Sequence, residues 1–260
     1  MMNYQEIEIA PLLEIVKQAG EAIMKIYAKD FDVQIKTDNS PLTEADRESN
    51  KIIIEALKQQ HPNIPLISEE NKLTPFGERK NWKRFWLIDP LDGTKEFIKK
   101  NGEFTVNVAL IEEGTPVIGV VGVPAHNKIY FGVNGFGSYI SENNQKIQPI
   151  ANGTHYLQKQ TVKVVASRSH LSNETLQFVE ELKQHGKQVD FISSGSSLKF
   201  CLVAEGKADV YPRFGPTMEW DTAAAHAVAL YAGKSVHDYV VKQPLIYNKE
   251  NLLNPWFLVE

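Results

Sequence analysis

Apolar residues at Leu12, Val16, Ala19, Ile23 and Ile26 recur in steps of four and three, the spacing of one helical face, and Pro11 suits a first helical turn. This predicts an opening helix that runs to about Lys29. Phe31-Asp32-Val33-Gln34-Ile35 alternates as a strand does, and after the Ser40-Pro41 break a second helix extends from about Thr43 to Gln60. Leu66-Ile67 and Phe85-Trp86-Leu87-Ile88 have the pattern of short buried strands, each delivering a carboxylate at its end. From Thr105 to Ile140, runs of Val, Ile and Tyr are broken at Glu113-Gly114-Thr115-Pro116 and Asn134-Gly135, which predicts hairpins. Beyond Ile150 the elements alternate: strand Val162 to Ala166, helix Asn173 to Gln184, strand Val189 to Ile192, helix Ser196 to Glu205, strand Ala208 to Tyr211, helix Thr222 to Tyr231. Such alternation argues an α/β arrangement with strands feeding loops at one edge. The chain is therefore expected in two parts, an N-terminal α+β lobe over 1–150 and a C-terminal α/β lobe over 151–260, with a polar boundary from Gln148 to Gln160.

Composition narrows the function classes. At 260 residues the chain can bury a substantial core as one domain or two lobes. A net charge of −4 gives no general attraction to nucleic acid, so any preference for phosphate has to come from a local site. The one cysteine, Cys201, cannot form an intrachain disulfide, and beside Leu198, Leu202 and Val203 it has the character of buried filler. The opening residues lack the basic start and apolar core of a signal peptide, and no segment approaches the roughly 20 apolar residues of a membrane helix. A cytoplasmic protein is expected.

The chemistry concentrates in Trp86-Leu87-Ile88-Asp89-Pro90-Leu91-Asp92-Gly93-Thr94. Asp89 and Asp92 stand three residues apart across a proline that fixes the backbone, so both can face one ion pair, joined by the Leu91 carbonyl. Gly93 and Thr94 then offer backbone N–H groups to an anion. A tight turn with Asp as turn former would read the same way. Ser68-Glu69-Glu70 adds a carboxylate pair, for which a solvated turn is the alternative, and Asp221 opens the alanine-rich run of Glu219-Trp220-Asp221-Thr222-Ala223-Ala224-Ala225, where an N-cap is the alternative reading.

Taken together and in this order, Ser-Glu-Glu, Asp-Pro-Leu-Asp-Gly-Thr and Trp-Asp-Thr-Ala-Ala resemble the lithium-sensitive, magnesium-dependent phosphomonoesterases of the inositol monophosphatase superfamily, over nearly the whole chain. Lys36 to Asp46, Asp92 to Ile98 and Gly195-Ser196-Ser197-Leu198-Lys199-Phe200-Cys201 resemble its CysQ branch, the 3'(2'),5'-bisphosphate nucleotidases. The resemblance implies a layered α+β / α/β sandwich, αβαβα, as in inositol monophosphatase and fructose-1,6-bisphosphatase, with the active site between the halves. It implies two or three Mg²⁺ ions per site: Glu69, Asp89 and the Leu91 carbonyl at a first, Asp89, Asp92 and Asp221 at a second, and Glu69 through waters at a third. No His or Cys accompanies this set, which argues against zinc or copper. Thr94, oriented by Asp46, would position the attacking water, and Glu70 would support a ligand rather than be one.

For substrate, Gly93, Thr94, Ser196, Lys199 and Arg213 would grip phosphate, with His170 in a nucleotide-facing loop, although exposed Lys and Arg are commonly just solvated. The implied reaction removes the 3'-phosphate of adenosine 3',5'-bisphosphate to give AMP, and converts the sulfated analogue likewise, a role in sulfur assimilation. An inositol monophosphatase is the alternative, with Glu219 as one polar contact to a hydroxyl; fructose-1,6-bisphosphatase is more distant, and a non-catalytic phosphate-binding module is the alternative of another class. The expected partner is a small phosphorylated nucleotide and no nucleic-acid polymer. The resemblance adds peripheral association with the inner face of the membrane as a further expectation, and leaves the oligomeric state open.

Overall fold

The computed structural model describes residues 2–35, 41–143, 147–150, 154–166 and 172–260. Two short ladders lie at its start, β1 (Asn3–Tyr4) with β2 (Ile7–Glu8) and β3 (Val33–Ile35) with β4 (Pro41–Thr43). The opening amphipathic pattern folds as α1 (Ile9–Tyr27), and its partner α2 (Glu44–Gln60) begins in a capping box in which the Asp46 side chain answers the Thr43 backbone. The central sheet has seven strands in the order β11-β10-β9-β8-β7-β6-β5. Its members are β5 (Leu66–Ser68), β6 (Arg84–Asp92), β7 (Thr105–Glu112), β8 (Thr115–Val123), β9 (Lys128–Val133), β10 (Gly137–Glu142) and β11 (Gln148–Pro149). Only β5 and β6 pair in parallel; the rest is antiparallel, and Glu113 and Gly114, both at positive φ, turn the β7–β8 hairpin.

The layers follow from the apolar faces. α1 and α2 bury Leu12, Val16, Ile23, Ile53 and Leu57 against one face of the sheet. The other face receives α6 (Leu198–Ala204) and α7 (Glu219–Tyr231). Beyond them, β12 (Thr161–Ala166) pairs in parallel with β13 (Gln188–Ser193), and β14 (Tyr211–Arg213), β16 (Phe257–Val259) and β15 (Val236–Asp238) form a three-stranded sheet. α5 (Asn173–Gln184) covers these strands through Phe178, Val179 and Leu182. The order is helix, sheet, helix, sheet, helix. Short helices α3 (Phe76–Arg79) and α4 (Thr94–Ile98) flank β6 in sequence. No helix among the described residues is long and apolar enough to cross a membrane.

Two departures from the expected elements bear on the site. First, the strand expected to end at Ile88 continues to Asp92, so the Asp-Pro-Leu-Asp run is not a turn after a strand but part of one. Asp89 faces Asn107 and Asp92 faces Thr105, so β6 carries one residue more than β7 in that interval. Residues three apart in a regular strand point to opposite faces; the extra residue of this bulge returns Asp89 and Asp92 to the same side, and Pro90, lacking an N–H, sits where the ladder is interrupted. Second, α7 starts at Glu219, three residues before the position read from the alanine run, because Met218, not Asp221, is its N-cap. Asp221 therefore lies inside the first turn. α7 is buried nearly all round, and its alanines lie directly on Gly119 and Gly132, register partners on β8 and β9. A Cβ on Gly119 would stand 2.1 Å from the Ala224 carbonyl oxygen, and one on Gly132 2.4 Å from that of Ala227. The strand expected at Ala208 to Tyr211 likewise shifts to 211–213, with only a bridge at Val210.

Candidate active site

The strand ends bring the acidic residues together. The Glu69 amide donates to the Ile88 carbonyl (3.2 Å), which seats the end of β5 beside Asp89 on β6. One carboxylate oxygen from each of Glu69, Asp89 and Asp221 lies within 4.8 Å of the others. Asp89 is 1% exposed and accepts from the Leu91 amide at 3.0 Å. Burial pushes its carboxyl well above the usual range, reinforced by Glu69, Asp92 and Asp221. Burial likewise raises Asp221, with Asp92 next, although its carboxylate accepts from the Met218 amide at 2.9 Å. These groups resist being charged together. An all-oxygen, mutually repelling donor set is what a hard divalent cation relieves, so the residues present fit such an ion.

Asp92 stands outside that tightest trio and is held from the residue that precedes α6: the Ser197 amide donates to it at 2.5 Å. Burial raises its carboxyl to about 6, against the opposing pull of Lys199 and the Ser197 amide. The Ser197 hydroxyl donates to Asn107 Oδ1 (2.8 Å) and, with that proton committed, accepts from the Thr105 hydroxyl (2.8 Å), so a buried polar network seats the N-terminus of α6 on β7. Ser196 adopts φ 44°, and a Cβ on Gly195 would meet the Glu103 carbonyl oxygen at 2.7 Å. The loop thus approaches the neighbouring backbone too closely for a side chain at Gly195.

Thr94 opens α4 immediately after Gly93, whose φ is 92°. Its hydroxyl donates to Asp46 Oδ1 at 3.2 Å, with the Leu91 carbonyl a weaker partner at 3.4 Å. Asp46 is 2% exposed, so it is not a solvated carboxylate on the surface of α2. Its Oδ2 accepts from the Thr43 amide (2.7 Å) and hydroxyl (2.6 Å), which leaves Oδ1 for Thr94. Glu70 follows Glu69, and its amide reaches Ser68 Oγ at 3.4 Å; its carboxylate is not part of the trio.

A cleft opens beside this cluster, lined by Asp92, Gly93, Ser196, Lys199, Arg213 and Asp221 among others. Lys199 is 5% exposed; Nζ donates to the Ser196 carbonyl at 2.6 Å and lies over the Tyr211 ring. Burial brings its pKa down to about 8, opposed by Asp92. Arg213 Nη2 donates to the Pro216 carbonyl (2.8 Å), and its buried Nε has no hydrogen-bond partner among the described residues. His170 lies outside the described residues. Glu219 does not reach the cleft: it is fully buried and bonded to the Asn248 and Lys249 amides and to Lys249 Nζ, so no substrate hydroxyl can meet it. Ser49, which donates to the Pro90 carbonyl at 2.7 Å, and Asn50, which accepts from Ser68 Oγ at 2.7 Å, serve the site from the Asp46 face of α2 and had no motif to flag them.

A model of the inositol monophosphatase family matches residues 5–255. The 3'(2'),5'-bisphosphate nucleotidase CysQ of Escherichia coli (strain K12) is 47% identical over 250 residues, 95% of this chain and 96% of that protein. The protein of the same name from Haemophilus influenzae is 36% identical across 100% of this chain and 94% of its own length. Among solved structures, CysQ from Bacteroides thetaiotaomicron superposes with a TM-score of 0.86 at 44% identity, covering 99% of this chain and 98% of that one. The Thermotoga maritima inositol monophosphatase shares the fold at a TM-score of 0.74 and 23% identity, covering 97% and 91%.

Proposed function

This chain belongs to the inositol monophosphatase family, and on that premise we propose that it is a metal-dependent 3'(2'),5'-bisphosphate nucleotidase that hydrolyses the 3'-phosphate of adenosine 3',5'-bisphosphate to AMP and phosphate. The sulfated analogue, with the same 3'-phosphate, is a second substrate. The observation that carries this reading is a cleft in which the carboxylate cluster borders two cationic side chains, Lys199 and Arg213. A monophosphate needs only the first of these features; a bisphosphate uses both. The near full-length identity with CysQ nucleotidases supports the same choice.

We assign Mg²⁺ to the cluster, where Glu69, Asp89, Asp221, Asp92 and the Leu91 carbonyl would hold it and where it would supply Lewis-acid activation of the phosphate and of water. The side chains do the rest. Because Thr94 spends its proton on Asp46, its oxygen presents a lone pair to the attacking water and fixes where that water points. Asp46 locks the Thr94 rotamer and is itself locked by the helix start. Gly93 and Thr94 back the reacting phosphate, while Ser196, Lys199 and Arg213 take the second phosphate. His170 belongs to the substrate side by resemblance alone.

The test is a comparison of phosphate release from adenosine 3',5'-bisphosphate and from inositol 1-phosphate at the same Mg²⁺ concentration. The nucleotide should be strongly preferred, with no release when Mg²⁺ is chelated. Preference for inositol 1-phosphate would overturn the assignment, and no release from either would leave a phosphate-binding module.

A further inference from the structure

We propose that Arg79, Glu219 and the segment 248–250 form a bracket that sets the gap between the chain segments carrying Glu69 and Asp221, and thereby governs cation affinity at the site. The inference rests on the metal-dependent reading above and extends it to residues that touch neither metal nor substrate.

The geometry is a clasp from two sides. Arg79, 1% exposed, lies on the connection that starts at Glu69 and leads into β6. Its Nη1 donates to Asn248 Oδ1 (2.9 Å) and to the Lys249 carbonyl (2.7 Å), and its Nη2 to the Glu250 carbonyl (2.8 Å). Asn248 Nδ2 returns a bond to the Arg79 carbonyl at 2.8 Å. From the opposite side, Glu219 accepts from the Asn248 amide (2.7 Å), the Lys249 amide (3.0 Å) and Lys249 Nζ (2.6 Å). Glu219 is the first residue of α7, two before Asp221. The same strand of chain then runs along that first turn, where the Glu219 amide donates to the Leu252 carbonyl (2.9 Å) and Asn254 Nδ2 to the Met218 carbonyl (2.9 Å).

Burying an arginine and a glutamate carries a desolvation cost, and well-packed apolar residues would commonly hold two elements together as well or better. What charged, multiply bonded groups add is direction: seven hydrogen bonds hold Asn248, Lys249 and Glu250 to Arg79 and Glu219. Arg79 and Lys249 balance Glu219 and Glu250 in formal charge, so the bracket acts on the cluster through position rather than through a net field. Glu69 and Asp221 repel one another, and a cation must find them at coordinating separation. The bracket holds them there before the ion arrives.

Asn248→Gly is the most selective test. Asn248 sits at φ 72°, which glycine adopts freely, so the variant removes both side-chain bonds to Arg79 and spares the backbone. It is compared with Arg79→Lys and Glu219→Gln by calorimetric titration of the folded, metal-free chain with Mg²⁺ and Mn²⁺, alongside thermal melting and kinetics. Outer partners of metal ligands are commonly worth about 10- to 100-fold in metal affinity, and a loss of about 10-fold is expected for Asn248→Gly. At saturating cation, kcat and the KM for the nucleotide should return close to wild type, with an unchanged pH profile. Lower melting temperatures with wild-type cation affinity in all three variants would reduce the bracket to a structural brace and overturn the proposal. Failure of the wild-type chain itself to bind either cation would overturn the metal-dependent reading, and the bracket with it.

Discussion

Replacing Gly119 by alanine tests whether the site depends on how closely α7 lies on the sheet. The added Cβ would sit 2.1 Å from the Ala224 carbonyl oxygen and 2.7 Å from Ala227 Cβ. The first of these is backbone, so no rotamer change relieves it. Ordinary contact begins near 3.4 Å, so α7 and β8 must separate by about 1.3 Å. Ala224 is less than one turn from Asp221, which must move by a similar amount away from Asp89 and Glu69. Overpacking of this kind costs about 1–3 kcal/mol, which corresponds to roughly 2–12 °C in melting temperature for a domain of this size. Misplacing a reacting group by about 1 Å costs roughly 100-fold in rate. Gly119→Ala should therefore melt several degrees lower, need more Mg²⁺ for half-maximal activity and lose roughly 100-fold in kcat/KM. Gly77→Ala, whose Cβ meets nothing within 4 Å, is the control and should behave as wild type. If Gly119→Ala keeps both the wild-type Mg²⁺ requirement and the wild-type turnover, the reasoning that α7 packing places Asp221 is refuted.

Asp89→Asn should abolish hydrolysis yet raise the melting temperature of the metal-free chain, since the amide escapes both the burial penalty and the repulsion from Glu69, Asp92 and Asp221. The pH dependence follows from the same shifts. Carboxyls raised in the folded state bind protons that the unfolded chain, with its Asp near 3.9, has released, so metal-free stability falls as pH climbs from about 4 through the raised values, about 6 for Asp92. Calorimetry from pH 4.5 to 7.5 should give a shallower fall for Asp89→Asn; parallel curves would contradict the shift. Thr94→Ala should lower kcat by roughly 100-fold with little change in KM, and an effect confined to KM would make Thr94 a phosphate contact. Lys199→Ala and Arg213→Ala should each cost roughly 10- to 150-fold in kcat/KM on adenosine 3',5'-bisphosphate and far less on 3'-AMP, with equal losses on both counting against a second-phosphate role.

The helices were legible because their apolar residues keep a period: α5 falls on Asn173–Gln184 as read, and α2 within a residue of its expected start. α7 was misplaced at its start because its alanines and its burial on every side leave no amphipathic edge from which to locate the first turn. The acidic residues were legible as a set through their motifs. The bulge that makes Asp89 and Asp92 share a side was not, since a register shift depends on the partner strand and β7 carries no local mark of it. Ser49 and Asn107 escaped for a related reason: a hydroxyl or amide side chain that bonds across 41 or 90 residues of sequence looks, in sequence, like any other polar residue, and although Ser197 stands in a legible motif, nothing in that motif marks its backbone bond to Asp92. Glu219 misled in the opposite direction: it stands two residues from Asp221, yet its own partners lie 29 and 30 residues away.

Asp46 divides its two oxygens between two tasks, Oδ2 closing the start of α2 and Oδ1 holding the Thr94 hydroxyl. An isosteric Asn cannot serve both. The Thr43 amide is a donor that must meet the carbonyl oxygen, so the amide nitrogen is forced towards Thr94, where a donor now stands in place of an acceptor. The threonine hydroxyl would then accept a hydrogen bond instead of giving one, and its lone pair would be turned away from the position we propose for the attacking water. Loss of the whole side chain, by contrast, frays a helix and frees a hydroxyl at once. Asn and Ala at this position therefore perturb different things, and the difference between them separates the polarity of one hydrogen bond from the anchoring of a helix.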